Sequence, residues 1–291
     1  MMTLWMDGHL AGGEGVSPLA HGLHYGTGVF EGIRVYPTAE GPAIFRLEDH
    51  LQRMDRGAKS LGMVLDLNLI HRGCLEAVAA SGLEAAYLRP LAFYEGGGLG
   101  LDVAELKVRL LVAAMPWKNH LGEGELGGIS VRTSPFQRVS GEAIPPLKLC
   151  GIYVNSVIAK LEATRAGFDE ALFVDEKGMA VECTGENIFF VKDGRVIAAE
   201  SPHALPGITR ETVMALSGAE SRPVSLEELH DADEVFVTGT SAEVTPVRRL
   251  DARDLDVGPF TLAIRNAYLD AVHGRAETHR SWLTPAFQVW V

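Results

Sequence analysis

Apolar residues follow two different periods along this chain, and the alternation between them most constrains what it can fold into. Between Leu47 and Leu61 they recur at intervals of three and four, which predicts a helix with one apolar stripe. Leu67–Val78 repeats that pattern. Runs rich in apolar, β-branched and aromatic residues at Ala43–Phe45, Ala86–Arg89 and Lys107–Met115 are typical of strands. Strands interleaved with amphipathic helices predict an α/β or α+β architecture.

A glycine- and glutamate-rich segment with little apolar content, Asn119–Gly128, interrupts this order and is interpreted as a linker. The chain has 291 residues, a length that suits two medium domains. We therefore expect a small N-terminal domain at 1–118, an interdomain loop at 119–128 and a larger domain at 129–291.

The second half repeats the mixture of elements. Asp193-Gly194 is a favoured two-residue hairpin turn, and Ser225 followed by Glu228 has the spacing of a capping box. The further expectations are a helix face with Tyr153, Val157 and Leu161, strands at Ala171–Val174 and Glu234–Val237, a hairpin from Ile188 to Ile197, and a helix from Arg210 to Leu216.

Composition excludes several classes of protein. Hydrophobic residues make up 47%, enough for a core, and the formal net charge is −12 without a Lys/Arg run, which argues against nucleic acid or an anionic membrane as partner. The three cysteines, Cys74, Cys150 and Cys183, form no C-x-x-C pair and favour a reducing cytoplasm. No signal peptide and no apolar stretch long enough to span a bilayer is visible, so a cytoplasmic location is expected.

Four short segments carry the chemistry. Lys148 lies on the edge of an apolar segment after Pro145-Pro146, and Glu182 precedes a turn some way along the chain. Two small-residue turns follow, at Leu205–Arg210 and Thr238–Glu243. An amine that forms a Schiff base, a carboxylate that holds a pyridine nitrogen, and turn amides that bind a phosphate are the groups that pyridoxal 5′-phosphate requires.

These motifs, in this order, make the chain similar to the class IV (fold type IV) pyridoxal-phosphate aminotransferases, and most similar to the branched-chain amino acid group. The resemblance implies a two-domain fold, with the cofactor at the domain interface. It covers nearly the whole chain and is carried by His24–Arg34, His50–Arg53, Tyr87–Pro90, Pro116-Trp117, Lys148 with Tyr153, Glu182–Phe190, Leu205–Arg210 and Gly239–Val247.

On the cofactor side, the resemblance implies that Lys148 binds the cofactor covalently and later moves a proton, and that Glu182 pairs with the pyridine nitrogen. Tyr153 is expected on the phenolic oxygen, and Leu205 against the ring. The implied cofactor-binding set is Arg53, Lys148, Tyr153, Glu182, Gly185, Glu186, Asn187, Leu205, Gly207, Ile208, Thr209, Gly239 and Thr240, of which Arg53, the turn at 207–209 and Thr240 face the phosphate. From the helix pattern alone, Arg53 is an exposed charge off the apolar stripe.

On the substrate side, the resemblance implies an apolar pocket with polar groups at its rim, with Val29 and Thr238 as neighbours. Arg89 beside the hydroxyl of Tyr25 is expected to meet the γ-carboxylate of glutamate. The implied substrate-binding set is Tyr25, Phe30, Arg34, Tyr87, Arg89, Trp117, Thr240, Ser241 and Ala242.

The implied activity is transamination between branched-chain L-amino acids (leucine, isoleucine, valine) and 2-oxoglutarate, by a homodimer or an assembly of dimers in which the loop around Tyr25 reaches the neighbouring site. Other activities on the same fold stay open: D-amino acid or (R)-amine transamination, and the aminodeoxychorismate lyase reaction. A cofactor-free binding protein would lack Lys148 or Glu182. The sequence contains no H-E-x-x-H metal motif and no P-loop, and its glycine cluster at 96–100 does not match a dinucleotide fingerprint. Ala198-Ala199, where relatives often have Thr-Pro, departs from the family pattern.

Overall fold

Strand pairing organises the chain around two sheets in the computed structural model, which describes residues 2–12, 15–96, 98–116, 127–139, 141 and 144–286. The strands are β1 (Thr3–Met6), β2 (His9–Leu10), β3 (Gly28–Phe30), β4 (Ile33–Thr38), β5 (Gly41–Phe45), β6 (Ala86–Glu95), β7 (Lys107–Pro116), β8 (Ile129–Thr133), β9 (Glu170–Val174), β10 (Ala180–Cys183), β11 (Asn187–Lys192), β12 (Arg195–Ala199), β13 (Glu220–Arg222), β14 (Glu234–Gly239), β15 (Glu243–Leu250), β16 (Arg253–Asp254) and β17 (Leu283–Pro285). The helices are α1 (His21–Tyr25), α2 (Leu47–Ser60), α3 (Leu67–Ser81), α4 (Tyr153–Arg165), α5 (Ile208–Ser217), α6 (Leu226–His230) and α7 (Pro259–Val272), with 3₁₀ turns at Cys150–Ile152 and Glu277–Trp282.

Contacts group the described residues into two compact units. The first comprises those of Met1–Trp117, Leu147–Ile152 and Ala271–Val291, and the second those of Lys118–Pro146 and Tyr153–Asp270. The domain boundaries expected from the sequence stay a prediction. Most of the expected linker, residues 119–126, lies outside the described residues.

The first unit is built on an antiparallel sheet in the order β17-β5-β4-β6-β7-β1-β2, with β3 paired to β6. Alternate residues of each strand point to opposite faces. One face is apolar and packs with helices α2 and α3 in a single core. Its central members are Ile33, Val35, Leu51, Met54, Ile70, Cys74, Leu88 and Val112.

The second unit holds a mixed sheet in the order β10-β9-β8-β15-β14-β11-β12-β13, with β16 paired to β15. Strands β8, β9 and β15 pair in parallel, as do β12 and β13. The hairpin β11–β12 turns at Asp193 and Gly194, whose φ angles are 49° and 72°. Positive φ at both central residues suits the right-handed twist of the flanking strands.

Most elements expected from the sequence are confirmed: helices α2 and α3, the strands at 43–45, 86–89, 107–115, 171–174 and 234–237, the Asp193-Gly194 hairpin and the Ser225 capping box, in which Ser225 and Glu228 cap each other. One boundary was wrong: helix α5 begins at Ile208, two residues before the expected Arg210. The expected helix with Val157 and Leu161 is present as α4, and these two side chains face outward. No helix among the described residues has the length and apolar content to cross a membrane.

Candidate active site

Backbone contacts in the first unit hold the lysine segment against strand β3. The amide of Phe30 donates to the carbonyl of Lys148 at 3.3 Å, Val29 forms an isolated antiparallel β-bridge with Leu149, and the amide of Gly151 donates to the carbonyl of Gly26 at 3.1 Å. The segment is irregular and constrained, as its prolines and glycine predicted. Attachment at Lys148 and at the residues that follow it fixes where the lysine side chain starts.

A close approach of two glycines makes this attachment possible. Gly26 ends helix α1 in the left-handed region, at φ 67°. A Cβ built on Gly26 would lie 2.6 Å from the Cα of Gly151, which no side chain can tolerate. Gly26 is therefore required both by its own conformation and by its neighbour.

Aromatic and cationic side chains cluster around the lysine. The Lys148 amine lies 4.9 Å from the centroid of the Phe30 ring, and the Arg89 guanidinium lies 4.7 Å from the same ring. Nη2 of Arg89 donates to the hydroxyl of Tyr87 at 3.1 Å. Nε of Arg89 is buried and has no hydrogen-bond partner among the described residues. The cluster is a cation-lined apolar surface with donor capacity to spare.

The hydroxyl of Tyr87 depends on a glycine, because a Cβ on Gly32 would lie 1.9 Å from it. Tyr87 also pairs in register with Arg34, whose guanidinium lies 4.6 Å from the Tyr36 ring. Strand alternation places Arg34, Tyr87 and Arg89 on the face of the sheet opposite the core. These three predicted substrate residues therefore share one surface.

Tyr25 is placed differently from the expectation that it stands beside Arg89. Within one chain its hydroxyl donates to the carbonyl of Leu99, while the side chain is 45% exposed. The hydroxyl next to Arg89 belongs to Tyr87. Trp117, another predicted substrate residue, lies outside the described residues.

Arg53 is buried, so the interpretation of an exposed helix charge was wrong. Its Nε and Nη2 donate to the two carboxylate oxygens of Glu31, each at 2.7 Å, and Nδ1 of His50 is 2.7 Å from Glu31 Oε2. Burial raises the pKa of Glu31, but Arg53 and His50 outweigh it and hold that pKa well below its usual range. Neither Glu31 nor His50 was assigned a role from the sequence.

In the second unit, Glu182 is buried and already paired. Nε of Arg138 donates to Glu182 Oε1 at 2.8 Å, and the amide of Leu205 donates to Oε2 at 2.9 Å. Nη1 of Arg138 donates to the Ser156 hydroxyl at 2.7 Å. A carboxylate with two such donors is fixed in orientation. Sequence reasoning missed Arg138, which lies in an irregular segment without a motif.

Asn187 joins Glu182 in holding the loop that leads into helix α5. Its side-chain amide donates to the carbonyl of Leu205 at 3.0 Å, and a Cβ on Gly207 would lie 2.0 Å from Asn187 Oδ1. Gly207 is the residue before the helix, and Ile208 and Thr209 are buried in its first turn. The amides of a first helical turn have no intrahelical acceptor, so this turn is suited to an anion.

The turn after β14 lies against Glu186. A Cβ on Gly239 would lie 3.2 Å from Glu186 Cγ, and the amide of Gly185 donates to Glu186 Oε2 at 3.2 Å. Burial, and next the charge of Glu170, raise the pKa of Glu186 to about 8. The hydroxyl of Thr238, one residue before Gly239, is buried without a hydrogen-bond partner in the described part of the chain.

Three further predicted residues lie in the second unit. Tyr153 begins helix α4 and is half-buried, and Thr240 and Ser241 are likewise half-buried in the turn that ends at the buried Ala242. The described residues contain no group of histidine, cysteine, aspartate and glutamate side chains that could hold a metal ion.

Each unit carries groups that suit pyridoxal phosphate. The first has an amine on a fixed segment and the buried Arg89 Nε, and the second has an oriented buried carboxylate, helix N-terminal amides and the buried Thr238 Oγ1. The model of the family described as amino-transferase class IV matches residues 28–250. The chain belongs to this family of class IV aminotransferases.

Within the family, the relatives compared carry one name. The branched-chain-amino-acid aminotransferase of Pseudomonas aeruginosa is 40% identical over 296 residues, covering 97% of this chain and 96% of the relative. The structure of the branched-chain aminotransferase of Thermoproteus uzoniensis with norvaline is 36% identical, with a TM-score of 0.93 and coverage of 98% and 99%. That of Thermobaculum terrenum, in its PLP form, is 31% identical, with a TM-score of 0.90 and coverage of 98% of each chain.

Proposed function

We propose that this chain is a pyridoxal-phosphate-dependent aminotransferase that exchanges amino groups between leucine, isoleucine or valine and 2-oxoglutarate. The observation that carries the proposal is the fixed Lys148 with Phe30, Tyr87 and Arg89 clustered around it. When bound, the cofactor supplies an aldehyde that accepts amino groups and a ring that withdraws electrons from the substrate Cα.

Lys148 has two tasks in this reaction. Its amine would hold the cofactor covalently, and the same amine, when free, would carry the proton to and from the substrate Cα. The backbone hydrogen bonds from Phe30 to Lys148 and from Gly151 to Gly26 keep the amine within a small volume during both tasks.

Glu182 serves the ring nitrogen. An ionised carboxylate stabilises a proton on that nitrogen, and the ring withdraws electrons best when it carries the proton. Arg138 and the Leu205 amide hold the Glu182 carboxylate in one orientation. The phosphate is bound by Arg53, by the first-turn amides of α5 from Ile208 onward, and by Thr240.

The substrate meets the outer face of the first sheet. Phe30 and Tyr87 offer apolar surface to a branched side chain, whereas Arg89 offers a charge to the γ-carboxylate of glutamate. The amides of Ser241 and Ala242 bind the α-carboxylate. Arg34 adds positive charge on the same face as Arg89.

We assign a homodimer as the minimum assembly, with larger assemblies built from dimers. Helix α4 exposes an apolar stripe at Val154, Val157, Ile158 and Leu161, which have 46 to 61% of their surface in solvent. Separations of three and four residues, from Val154 to Val157 and Ile158 and from these to Leu161, put all four on one side. The buried Ser156, Ala159 and Ala163 lie on the opposite side of the helix. Such a stripe is rarely left in water and suits a two-fold contact with a second copy.

Mass in solution tests the dimer. Ile158→Glu should lower the particle mass towards that of one chain, because it buries a charge in the proposed contact. Val64→Glu is the matched control, since Val64 is an exposed valine outside the stripe, at 93% exposure. A fully active monomer of the unaltered protein would rule the assignment out.

Small amino acids, 2-oxo acids and a second copy are the only partners proposed; a nucleic acid or membrane role has no support in a net charge of −12. The three cysteines are free thiols, which supports a reducing cytoplasm as the location.

Visible absorbance tests cofactor and reaction together. The purified protein should show an absorbance band that bleaches with L-leucine, returns with 2-oxoglutarate and does not respond to D-alanine. Borohydride reduction and peptide mapping should place the cofactor on Lys148. Label on Lys160 or Lys177, or bleaching by D-alanine alone, would contradict the proposal.

A further inference from the structure

The arginine assigned to the phosphate, Arg53, belongs to a buried ion pair with Glu31. Glu31 is fully buried, and its carboxylate receives three hydrogen bonds of 2.7 Å, two from Arg53 and one from His50. The amide of Glu31 donates to the carbonyl of Pro90 at 2.9 Å, which ties the residue to strand β6. Glu31 is thus a fixed acceptor on the sheet for two side chains of helix α2.

The pairing of Glu31 with Arg53 is bidentate. Nε and Nη2 of Arg53 each meet a different oxygen of Glu31, and this two-point contact defines the plane of the guanidinium as well as its position. Helix α2 lies close enough to strand β3 to support this contact, because Gly57 packs against Val29. A Cβ on Gly57 would lie 3.1 Å from Val29 Cγ1. Arg53 is therefore restricted to one orientation.

His50 completes the carboxylate's shell. A carboxylate can only accept, so Nδ1 of His50 carries the hydrogen. Burial lowers the pKa of His50 more than Glu31 raises it, and the charges of Arg53 and Lys148 lower it further. With His50 neutral, the negative charge of Glu31 cancels the positive charge of Arg53, and the group offers an anion little net attraction.

We propose that Glu31 is a positioning residue, and that the fixed orientation it gives to the Arg53 guanidinium is what secures the phosphate monoester of the cofactor. The inference rests on the proposed function of Arg53. An argument from charge alone predicts the opposite change in phosphate affinity, because removal of the Glu31 charge leaves Arg53 more attractive to an anion. The two forecasts differ in sign.

The experiment is a titration of the apo-protein with pyridoxal phosphate at fixed pH and salt, in which fluorescence reports binding. Circular dichroism checks that each variant is folded. Glu31→Gln replaces one acceptor oxygen by an NH2 group, which then faces N–H donors of Arg53 or His50. It should raise the Kd for pyridoxal phosphate at least roughly tenfold. Glu31→Asp keeps the charge but withdraws the acceptor, and it should also raise the Kd. Glu234→Gln, at a buried glutamate that bonds Thr261, is the control and should leave the Kd unchanged.

Arg53→Lys tests the phosphate role of Arg53 separately from the positioning role of Glu31. A Kd unchanged by Arg53→Lys overturns the phosphate role of Arg53 itself. If Arg53→Lys weakens binding but both Glu31 variants bind as tightly as the unaltered protein, or tighter, the positioning role is overturned. In the Arg53→Lys background, Glu31→Gln should add little further loss, because Glu31 acts through Arg53.

Discussion

The carbonyl of Gly26 accepts a hydrogen bond from the amide of Gly151 at 3.1 Å, and the two backbones are too close for a side chain at position 26. This contact, together with that between Phe30 and Lys148, holds the lysine segment on strand β3.

Gly26→Ala should destabilise the protein by about 2–3 kcal/mol and reduce turnover, since the methyl group forces the lysine segment away from β3. Gly82→Ala is the matched control: Gly82 also ends a helix, at φ 65° against 67°, but has no heavy atom within 4 Å of its Cβ position. Chemical denaturation and initial rates measure both. Equal losses in the two variants would show that backbone strain, not the close approach, sets the effect.

Arg138→Met should cost the apo-protein on the order of 3–5 kcal/mol, because it removes the cation that pairs with the buried Glu182 carboxylate. Pyridoxal phosphate should restore more stability to this variant than to the unaltered protein, as the ring proton replaces the lost charge. Thermal unfolding with and without cofactor tests this. Arg248→Met, which removes an exposed partner of Asp169, should cost under about 1 kcal/mol.

Glu186 predicts a pH dependence of stability. Its folded pKa of about 8 lies above the ordinary value of 4.5, so between those values the folded state holds a proton that the unfolded state has lost. The free energy of unfolding should therefore fall as the pH rises through this window. Glu186→Gln, which mimics the protonated form, should be more stable than the unaltered protein at pH 8 by a few kcal/mol, on the order set by the pKa shift, and by little near pH 4.5.

Denaturation curves at several pH values measure the effect of Glu186→Gln. Glu176→Gln, at an exposed glutamate in the same unit, is the control and should leave the pH profile unchanged. A profile that is the same in Glu186→Gln and the unaltered protein would show that Glu186 is ionised in the fold.

Arg89→Ala should lower kcat/KM for the glutamate and 2-oxoglutarate half-reaction, which corresponds to an activation free energy higher by on the order of 2–5 kcal/mol. It should change kcat/KM for the leucine half-reaction much less. The reason is that Arg89, with its buried Nε, is available to a second carboxylate that leucine lacks. Tyr87→Phe, which removes the neighbouring hydroxyl alone, should have a smaller effect on glutamate. Single-turnover kinetics decide the matter, and equal losses in both half-reactions would assign Arg89 to the α-carboxylate.

Local signals were read correctly from the sequence, because their causes are local. The apolar stripe of α2, the Asp193-Gly194 turn and the Ser225 cap each depend on residues a few positions apart. The expected position of Lys148 in an irregular segment followed from its adjacent prolines and Gly151.

Long-range pairing was not readable. Arg53 lies off the apolar stripe of its helix and is buried only because Glu31, 22 positions away, supplies a carboxylate. Arg138 meets Glu182 across 44 positions, and no motif marks it. A helical pattern also does not say whether its apolar stripe faces a core or faces outward: the stripe of α2 is buried, whereas Val157 and Leu161 of α4 face outward.

The attachment of the lysine segment uses main-chain atoms, apart from the space that two glycines provide. An attachment of this kind depends on the path of the backbone and makes few demands on the hydrogen-bonding groups of the side chains along it. Leu149 packs against the core and Ile152 is buried, so replacements there must keep the volume of the side chain. Within that limit, a directed-evolution library can change the surroundings of the amine while the amine itself stays where the backbone puts it.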